Sequence, residues 1–222
     1  MSDEQTTTTD VVPESGSRPE AGPESGPAGA GFFSALRPTS VPTAWVLLIC
    51  GIAGMAASVA LTIDRIEILK DPSYRPACSI NPIISCGSVM VTEQGAFLGF
   101  PNPLLGLPAF AVVIVTAVFS VARFELPRWY WTGQAVVAAL GQVFVGYLIV
   151  QSLYRIHALC PYCMVVWTLM PVVLILSISR ALPDSARGRS IREWLWVALP
   201  LYYVIVIAMI TLEFWSYWKT LL

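Results

Sequence analysis

The sequence predicts an all-α integral membrane protein with five transmembrane helices, and two observations support this fold class. The chain has 222 residues, of which 56% are hydrophobic and 12% are charged, whereas soluble domains carry about 25% charged residues. Five apolar segments each approach the roughly 20 residues that an α-helix needs to cross a bilayer. They cover residues 43–63, 104–122, 131–153, 160–178 and 194–212. A soluble helical core is the weaker interpretation, because these segments are apolar on all faces and lack a polar shell.

The first 40 residues differ from the rest in composition. They are rich in Pro, Gly, Ser, Thr and Glu, and such a stretch buries too little apolar surface to offset its ordering entropy. We therefore expect residues 1–40 to form a disordered cytoplasmic tail, not a signal peptide. Residues 41–222 are expected to form the transmembrane domain, with an external loop over residues 64–103.

Arginines in the short loops predict the orientation of the chain. The loop after the second segment carries Arg123 and Arg128, and the loop after the fourth carries four more arginines. Both loops lie on the same side of the membrane, which we assign to the cytoplasm together with the N-terminus. The loop 64–103, the turn 154–159 and the C-terminus are then external. Arginines and lysines also occur on that side, so the bias is moderate.

Cysteines are the main reactive groups of the chain. The net charge of −1 argues against a nucleic-acid partner, and the single histidine, His157, is most simply a solvated loop residue. Four of the five cysteines fall on the predicted external side, where disulfides are permitted. The exception, Cys50, lies inside the first segment and is expected to be an inert packing residue.

The motif Cys160-Pro161-Tyr162-Cys163 opens the fourth segment. Pro161 suits the first position of a helix, which makes Cys160 the residue that caps it and places Cys163 in the first turn. The free N–H groups and the positive end of the helix dipole favour a thiolate there, as in redox proteins with the same spacing. A zinc site or a structural disulfide also uses this spacing.

The other external pair, Cys78 and Cys86, lies in the long loop. Asn81 and Pro82 between them suggest a turn that could bring the two sulfurs together. A structural disulfide that fastens the loop and a redox-active pair are equally compatible with this spacing.

These residues resemble the vitamin K epoxide reductase family in its bacterial branch. The resemblance covers about residues 43–180 and rests on Cys78-x₇-Cys86, on Gly99-Phe100-Pro101-Asn102, and on the Cys160–Cys163 motif. The order of the pairs distinguishes it from the DsbB type of thiol oxidase, in which the CxxC pair comes first. Bacterial members often continue into a thioredoxin-like domain. The chain shows no such domain before Leu222, so we expect its reductant to be a separate protein.

The resemblance implies a four-helix bundle around a quinone, either menaquinone or ubiquinone, with a peripheral fifth helix. By position, Cys163 is nearest the quinone and Cys160 is its resolving partner, while Cys86 attacks Cys160 and Cys78 meets the external reductant. Three further residues are implied in quinone binding: Asn102 as a hydrogen-bond donor, Thr92 in place of a serine, and Trp167 in place of the tyrosine of animal members.

The function that this resemblance implies is quinone-dependent reoxidation of a DsbA-like thioredoxin-fold protein, in the cell (inner) membrane. Three alternatives stay open. The same cysteines could reduce vitamin K epoxide, the four thiolates could hold zinc without catalysis, or two structural disulfides could stabilise a scaffold or transporter. The last is disfavoured because the five segments hold no Asp, Glu, Lys or Arg near their centres.

Overall fold

The computed structural model describes residues 36–37, 40–81, 83–97 and 99–221, and it confirms the all-α fold. The long helices are α1 (Val41–Lys70), α3 (Pro103–Val121), α4 (Arg128–Gln151), α5 (Pro161–Ala181) and α6 (Ala186–Glu213). All five are long and apolar enough to cross a membrane. The shorter helical elements are α2 (Cys86–Met90), a 3₁₀ turn (Glu93–Ala96), a π turn (Ser152–Ile156) and α7 (Trp215–Leu221). Two strands of two residues each, β1 (Leu36–Arg37) and β2 (Leu126–Pro127), pair antiparallel. The predicted tail lies outside the described residues, except for residues 36, 37 and 40.

Helix α1 is longer than the sequence predicted. It continues seven residues past residue 63 and ends at Lys70, so the loop predicted over 64–103 begins at Asp71. Polar side chains interrupt the apolar pattern in this extension but remain compatible with a helix. Lys70 Nζ donates to Glu67 Oε1 at 2.8 Å, for example, which is a pairing that an α-helix supports at this spacing. Helix α6 likewise begins earlier than predicted, at Ala186, where Ser185 Oγ accepts a hydrogen bond from Gly188 N.

Four helices enclose the core, and small residues let two of them approach closely. The core cluster includes Leu47 and Cys50 of α1, Val113 of α3, Trp131 of α4 and Val173 of α5. Gly54 of α1 faces Phe110 of α3, and a Cβ atom at Gly54 would overlap the phenyl ring. Close contact of this kind drives helix association in lipid, where no hydrophobic effect acts between helices.

The fifth long helix, α6, is peripheral, as the family resemblance implied. None of the residues in its apolar window is buried within the chain. It is held against α5 by Tyr202 and Tyr203, whose hydroxyl groups donate to the carbonyl oxygens of Trp167 and Thr168 at 3.2 and 2.8 Å.

We expect Gly54→Ala to destabilise the bundle by about 1–3 kcal/mol, the usual cost of overpacking a well-packed site. Gly133→Ala on α4 is the matched control, because a Cβ atom there meets nothing within 4 Å. Thermal unfolding in detergent measures both variants. Equal unfolding midpoints for the two would contradict the close contact of α1 with α3.

Candidate active site

The loop cysteines Cys78 and Cys86 form a disulfide, with their Cα atoms 5.7 Å apart. A turn at Asn81 makes this possible: its side-chain oxygen accepts hydrogen bonds from the backbone N–H groups of Ile83 and Ile84, at 3.0 and 2.6 Å. Pro82 lies outside the described residues. The chain then returns into α2, which begins at Cys86 after Ser85. The sequence predicted the turn, and the structure resolves the pairing that spacing alone left open.

The loop is fastened to the turn that precedes α5. Ile84 and Leu159 form a parallel bridge. The backbone N–H of Ser85 donates to Leu159 O at 2.9 Å, and the N–H of Leu159 donates to Ile83 O at 2.6 Å. Because Ser85 and Leu159 directly precede the two cysteines Cys86 and Cys160, these bonds bring the two cysteine pairs together.

The sulfur atoms form a continuous path from the loop to α5. Sγ of Cys86 lies 3.3 Å from Sγ of Cys160, and both residues are 0% exposed. Cys78 is 8% exposed. Cys160 and Cys163 are free thiols, and Cys163 is only partly buried. The two ends of the path, Cys78 and Cys163, are thus more accessible than the two cysteines between them.

Cys160 is the residue that caps α5, with Pro161 in the first turn, as the sequence predicted. A hydrogen bond with the Cys163 side chain lowers the pKa of the Cys160 thiol. Burial acts in the opposite direction, and the backbone N–H groups of Cys163 and Tyr162 lower the pKa further. The sequence argument placed the favoured thiolate at Cys163. With both thiols reduced, these hydrogen bonds stabilise a Cys160 thiolate, and the thiolate expected at Cys163 stays a prediction.

An acidic residue that sequence reasoning missed lies beside the loop disulfide. Asp64, in the extension of α1, places Oδ2 3.7 Å from Sγ of Cys78. Its other oxygen accepts a hydrogen bond from Tyr74 OH at 3.1 Å, and this bond is the largest cause of the raised pKa of Tyr74. The only sequence signal was a carboxylate placed directly after an apolar segment.

Removing the Asp64 charge should make a free Cys78 thiol more reactive. A carboxylate about 4 Å away disfavours a thiolate, and a repulsion of about 1.4 kcal/mol corresponds to roughly a tenfold change in thiolate population. In a Cys86→Ala background, Asp64→Asn should therefore speed alkylation of Cys78 by iodoacetamide at pH 7 by about tenfold. Glu67→Gln, one turn along α1, is the control and should change little. An unchanged or slower rate in Asp64→Asn would rule out this electrostatic effect.

Two of the residues implied in quinone binding, Thr92 and Asn102, shape the segment that leads into α3. Thr92 Oγ1 accepts from Gly95 N at 3.2 Å and donates to Val89 O at 2.8 Å. Asn102 Nδ2 donates to Gln94 O at 2.6 Å, and Asn102 Oδ1 accepts from Phe97 N at 3.0 Å. Both side chains therefore stabilise the conformation of this loop through hydrogen bonds, and their roles in quinone binding stay predictions.

Trp167 is the third residue implied in quinone binding. It is buried in a cluster with Val145 and Ile149 of α4, and Cys163 packs against the same cluster. On another face of α4, Phe144 and Tyr147 contact the ring of Phe97, with centroids 6.1 and 4.9 Å away. Helix α4 thus connects the aromatic loop segment to the surroundings of Cys163.

The zinc alternative needs four thiolate ligands converging on one point. Two of the four sulfurs, those of Cys78 and Cys86, are bonded to each other in this structure. The two cysteine pairs lie close enough for a disulfide to pass from one pair to the other. Cys50, by contrast, is buried in the core of the bundle away from the other four, consistent with its expected packing role.

Comparison with known protein families agrees with this site. Residues 45–178 match the vitamin K epoxide reductase family. The match covers more than half of the chain and includes all four cysteines of the path, along with Thr92, Asn102 and Trp167. Such proteins are membrane oxidoreductases that exchange thiols and disulfides and are generally linked to quinones. This multi-pass membrane protein belongs to the vitamin K epoxide reductase family.

Proposed function

We propose that the protein is a quinone-dependent thiol oxidase that reoxidises a DsbA-like thioredoxin-fold protein and so supports disulfide formation in exported proteins. The observation that carries this proposal is the 3.3 Å separation of the Cys86 and Cys160 sulfurs. Because Cys86 is already bonded to Cys78, a disulfide can pass from one pair to the other with little movement.

The external half of the reaction starts at Cys78. A thiolate of the reduced partner attacks Sγ of Cys78, the S–S bond breaks, and Cys86 leaves as a thiolate. The second partner thiol then attacks the mixed disulfide, which releases the oxidised partner and leaves Cys78 and Cys86 as thiols. Two electrons and two protons have passed to the loop pair. The burial of Cys86 and the slight exposure of Cys78 favour this order of attack.

The internal half transfers the disulfide from α5 to the loop. Cys86 attacks Cys160 in the Cys160–Cys163 disulfide and Cys163 leaves. Cys78 then attacks Cys86 and Cys160 leaves, so that the loop disulfide is restored and the CxxC pair holds the electrons. The structure has this combination of a loop disulfide with free thiols at Cys160 and Cys163, which supports the proposed order.

The surroundings of Cys163 fit a quinone. The side chain is partly exposed and packs against an apolar cluster containing Trp167, and apolar and aromatic linings suit a ring with a hydrocarbon tail. Trp167 would hold the ring, and Asn102 would bind a carbonyl oxygen if the loop moves toward Cys163. A bound quinone supplies an acceptor for two electrons and two protons. Cys163 holds the thiol nearest that acceptor, and burial of Cys160 excludes water from the exchange.

A groove beside the loop disulfide suits the partner. It has a volume of about 340 Å³, and its walls include Tyr74, Arg75 and Pro76 before Cys78 and Ser79 after it. Main-chain and hydroxyl groups here can hydrogen-bond an extended segment of the partner next to its reactive thiol. The proposal places the loop outside the cell membrane or inner membrane, and the arginine-rich turns in the cytoplasm, as the arginine bias predicts.

The experiment is quinone reduction by the purified full-length protein in detergent, driven by a reduced DsbA-like protein. Menaquinone and ubiquinone analogues are compared by absorbance, with vitamin K epoxide as a further substrate. We expect quinone reduction that requires both the partner and Cys78, and loss of the reaction in Cys78→Ala. Epoxide reduction without any partner-driven quinone reduction would contradict the proposal.

A further inference from the structure

A second polar cavity lies at the opposite end of the bundle from the cysteines. This end, here called the arginine end, is formed by the turns 122–127 and 182–185 and the starts of α1, α4 and α6. The cavity has a volume of about 350 Å³. Its walls include Thr43, Ser179, Arg180, Asp184, Arg192 and Trp196. Because α5 rises about 30 Å between Pro161 and Ala181, the cavity is separate from the thiol site.

The cavity walls carry an excess of positive charge. Arg180 and Arg192 contribute two guanidinium groups, and Asp184 contributes one carboxylate. Asp184 Oδ1 accepts a hydrogen bond from Arg192 Nη2 at 2.8 Å. The same nitrogen also donates to Pro183 O at 3.3 Å, and the two bonds fix the orientation of the guanidinium group. Guanidinium groups bind phosphate through several N–H groups at once.

Two hydrogen-bond donors at the cavity lack acceptors. Nε of Arg192 and Oγ of Ser179 are buried and have no hydrogen-bond partner among the described residues. A buried donor left unsatisfied costs free energy, and such groups in native proteins usually mark an ordered water or ion. A tetrahedral anion has enough acceptor oxygens to satisfy donors from more than one wall.

The position of the cavity indicates where such an anion comes from. The apolar stretch of α5 ends at Ser179 and Arg180, and Trp196 is 49% exposed on α6. Tryptophan is enriched at the membrane–water interface, where lipid phosphates lie. Basic pockets between transmembrane helices bind anionic headgroups. Arg187 adds positive charge at the start of α6, and Glu193 is an acidic residue on the same helix.

We propose that this cavity binds the phosphate of an anionic phospholipid headgroup. The lining side chains come from α1, α5, α6 and the turn before α6. A bound phosphate therefore joins the peripheral helix α6, which buries no residue of its apolar window, to two helices of the bundle. The lipid acts as a structural ligand that holds α6 in place.

The test measures thermal unfolding of the full-length protein in detergent with added phosphatidylglycerol. A ligand that binds the native state raises the unfolding midpoint as its concentration increases. We expect phosphatidylglycerol to stabilise the protein, and phosphatidylcholine or inorganic phosphate at equal concentration to do so much less. Arg192→Gln should raise the half-saturating lipid concentration at least about tenfold, as expected for loss of a hydrogen bond to a charged group. Arg189→Gln, an exposed arginine outside the cavity, is the matched control and should behave like the unchanged protein.

Several outcomes would overturn the proposal. One is an equal response to phosphatidylglycerol in Arg192→Gln and Arg189→Gln. Another is equal stabilisation by phosphatidylcholine, and a third is full stabilisation by inorganic phosphate, which would assign the cavity to a soluble anion. If Arg192→Gln does not fold, Ser179→Ala replaces it, because it removes a donor and keeps the charge. Each variant is compared with itself without lipid, and a severalfold weakening in Ser179→Ala supports the site, while no weakening contradicts it.

Discussion

Replacing Cys163 by alanine is expected to lower the rate of quinone reduction by at least about a hundredfold. The variant should also accumulate a Cys86–Cys160 disulfide. In this variant Cys160 attacks Cys86 as a thiolate, across the 3.3 Å that separates the two sulfur atoms. Cys78 leaves and takes up a proton beside Asp64. Without Cys163, Cys160 cannot return to a Cys160–Cys163 disulfide, and only reverse attack by Cys78 on Cys86 can open the bridge between the pairs. The Asp64 carboxylate beside Cys78 disfavours the Cys78 thiolate and therefore this reverse attack, so the bridge accumulates. The exchange needs no added oxidant, because one disulfide replaces another.

Peptide mapping after alkylation identifies the bridge. Cys50→Ala is the control and should retain both activity and the ordinary pairing, because Cys50 is buried in the core of the bundle. A Cys78–Cys160 bridge in Cys163→Ala would reverse the roles of the two loop cysteines. If no bridge between the pairs forms in any variant, the four cysteines form structural disulfides and the relay fails.

The second large effect is expected at the external end of the path. Cys86→Ala should abolish turnover and, when mixed with oxidised partner, should accumulate a disulfide between Cys78 and the partner. The free Cys78 thiol attacks the partner disulfide and releases the partner's second thiol, and position 86 no longer holds a thiol that would displace the partner. Rapid alkylation with N-ethylmaleimide caps the second partner thiol, which would otherwise reverse the step. Gel electrophoresis without reductant, followed by mass spectrometry, detects the mixed disulfide.

The matched variant for this experiment is Cys78→Ala. It retains a free thiol at Cys86, but this residue is 0% exposed, so the mixed disulfide with the partner should be scarce. Equal trapping in Cys78→Ala and Cys86→Ala would show that burial does not select the entry point. More mixed disulfide in Cys78→Ala than in Cys86→Ala would show that the partner reacts with Cys86 and not with Cys78.

The fold could be predicted from the sequence because lipid imposes a simple rule on composition. Apolar stretches of about 20 residues identify the five helices, and their ends are set by local signals such as Pro161 and Ser185. The extension of α1 to Lys70 was missed because Asp64, Glu67 and Lys70 interrupt the apolar pattern without interrupting the helix. Apolar residues identify the part of a helix that lies in lipid, and the helix can continue into water beyond that part.

The site was predicted in part, and the missing features are contacts between distant parts of the chain. The resemblance to a family supplied the contact between Cys86 and Cys160, which are 74 residues apart. Spacing alone could not have supplied it. The carboxylate of Asp64 beside Cys78 gave no pattern to recognise. His157, interpreted as a solvated loop residue, is indeed exposed, but its ring also pairs with Glu213 at the far end of α6, at 3.1 Å.

A single-turnover experiment without quinone tests the direction of the relay most directly. The fully oxidised protein, with disulfides at both pairs, is mixed with one equivalent of reduced partner, quenched with acid and alkylated. Mass mapping then assigns the thiols. The relay predicts alkylated Cys160 and Cys163 with an intact Cys78–Cys86 disulfide, the pairing that the structure has. Alkylated Cys78 and Cys86 with an intact Cys160–Cys163 disulfide would show that the electrons stop at the loop, and would contradict it.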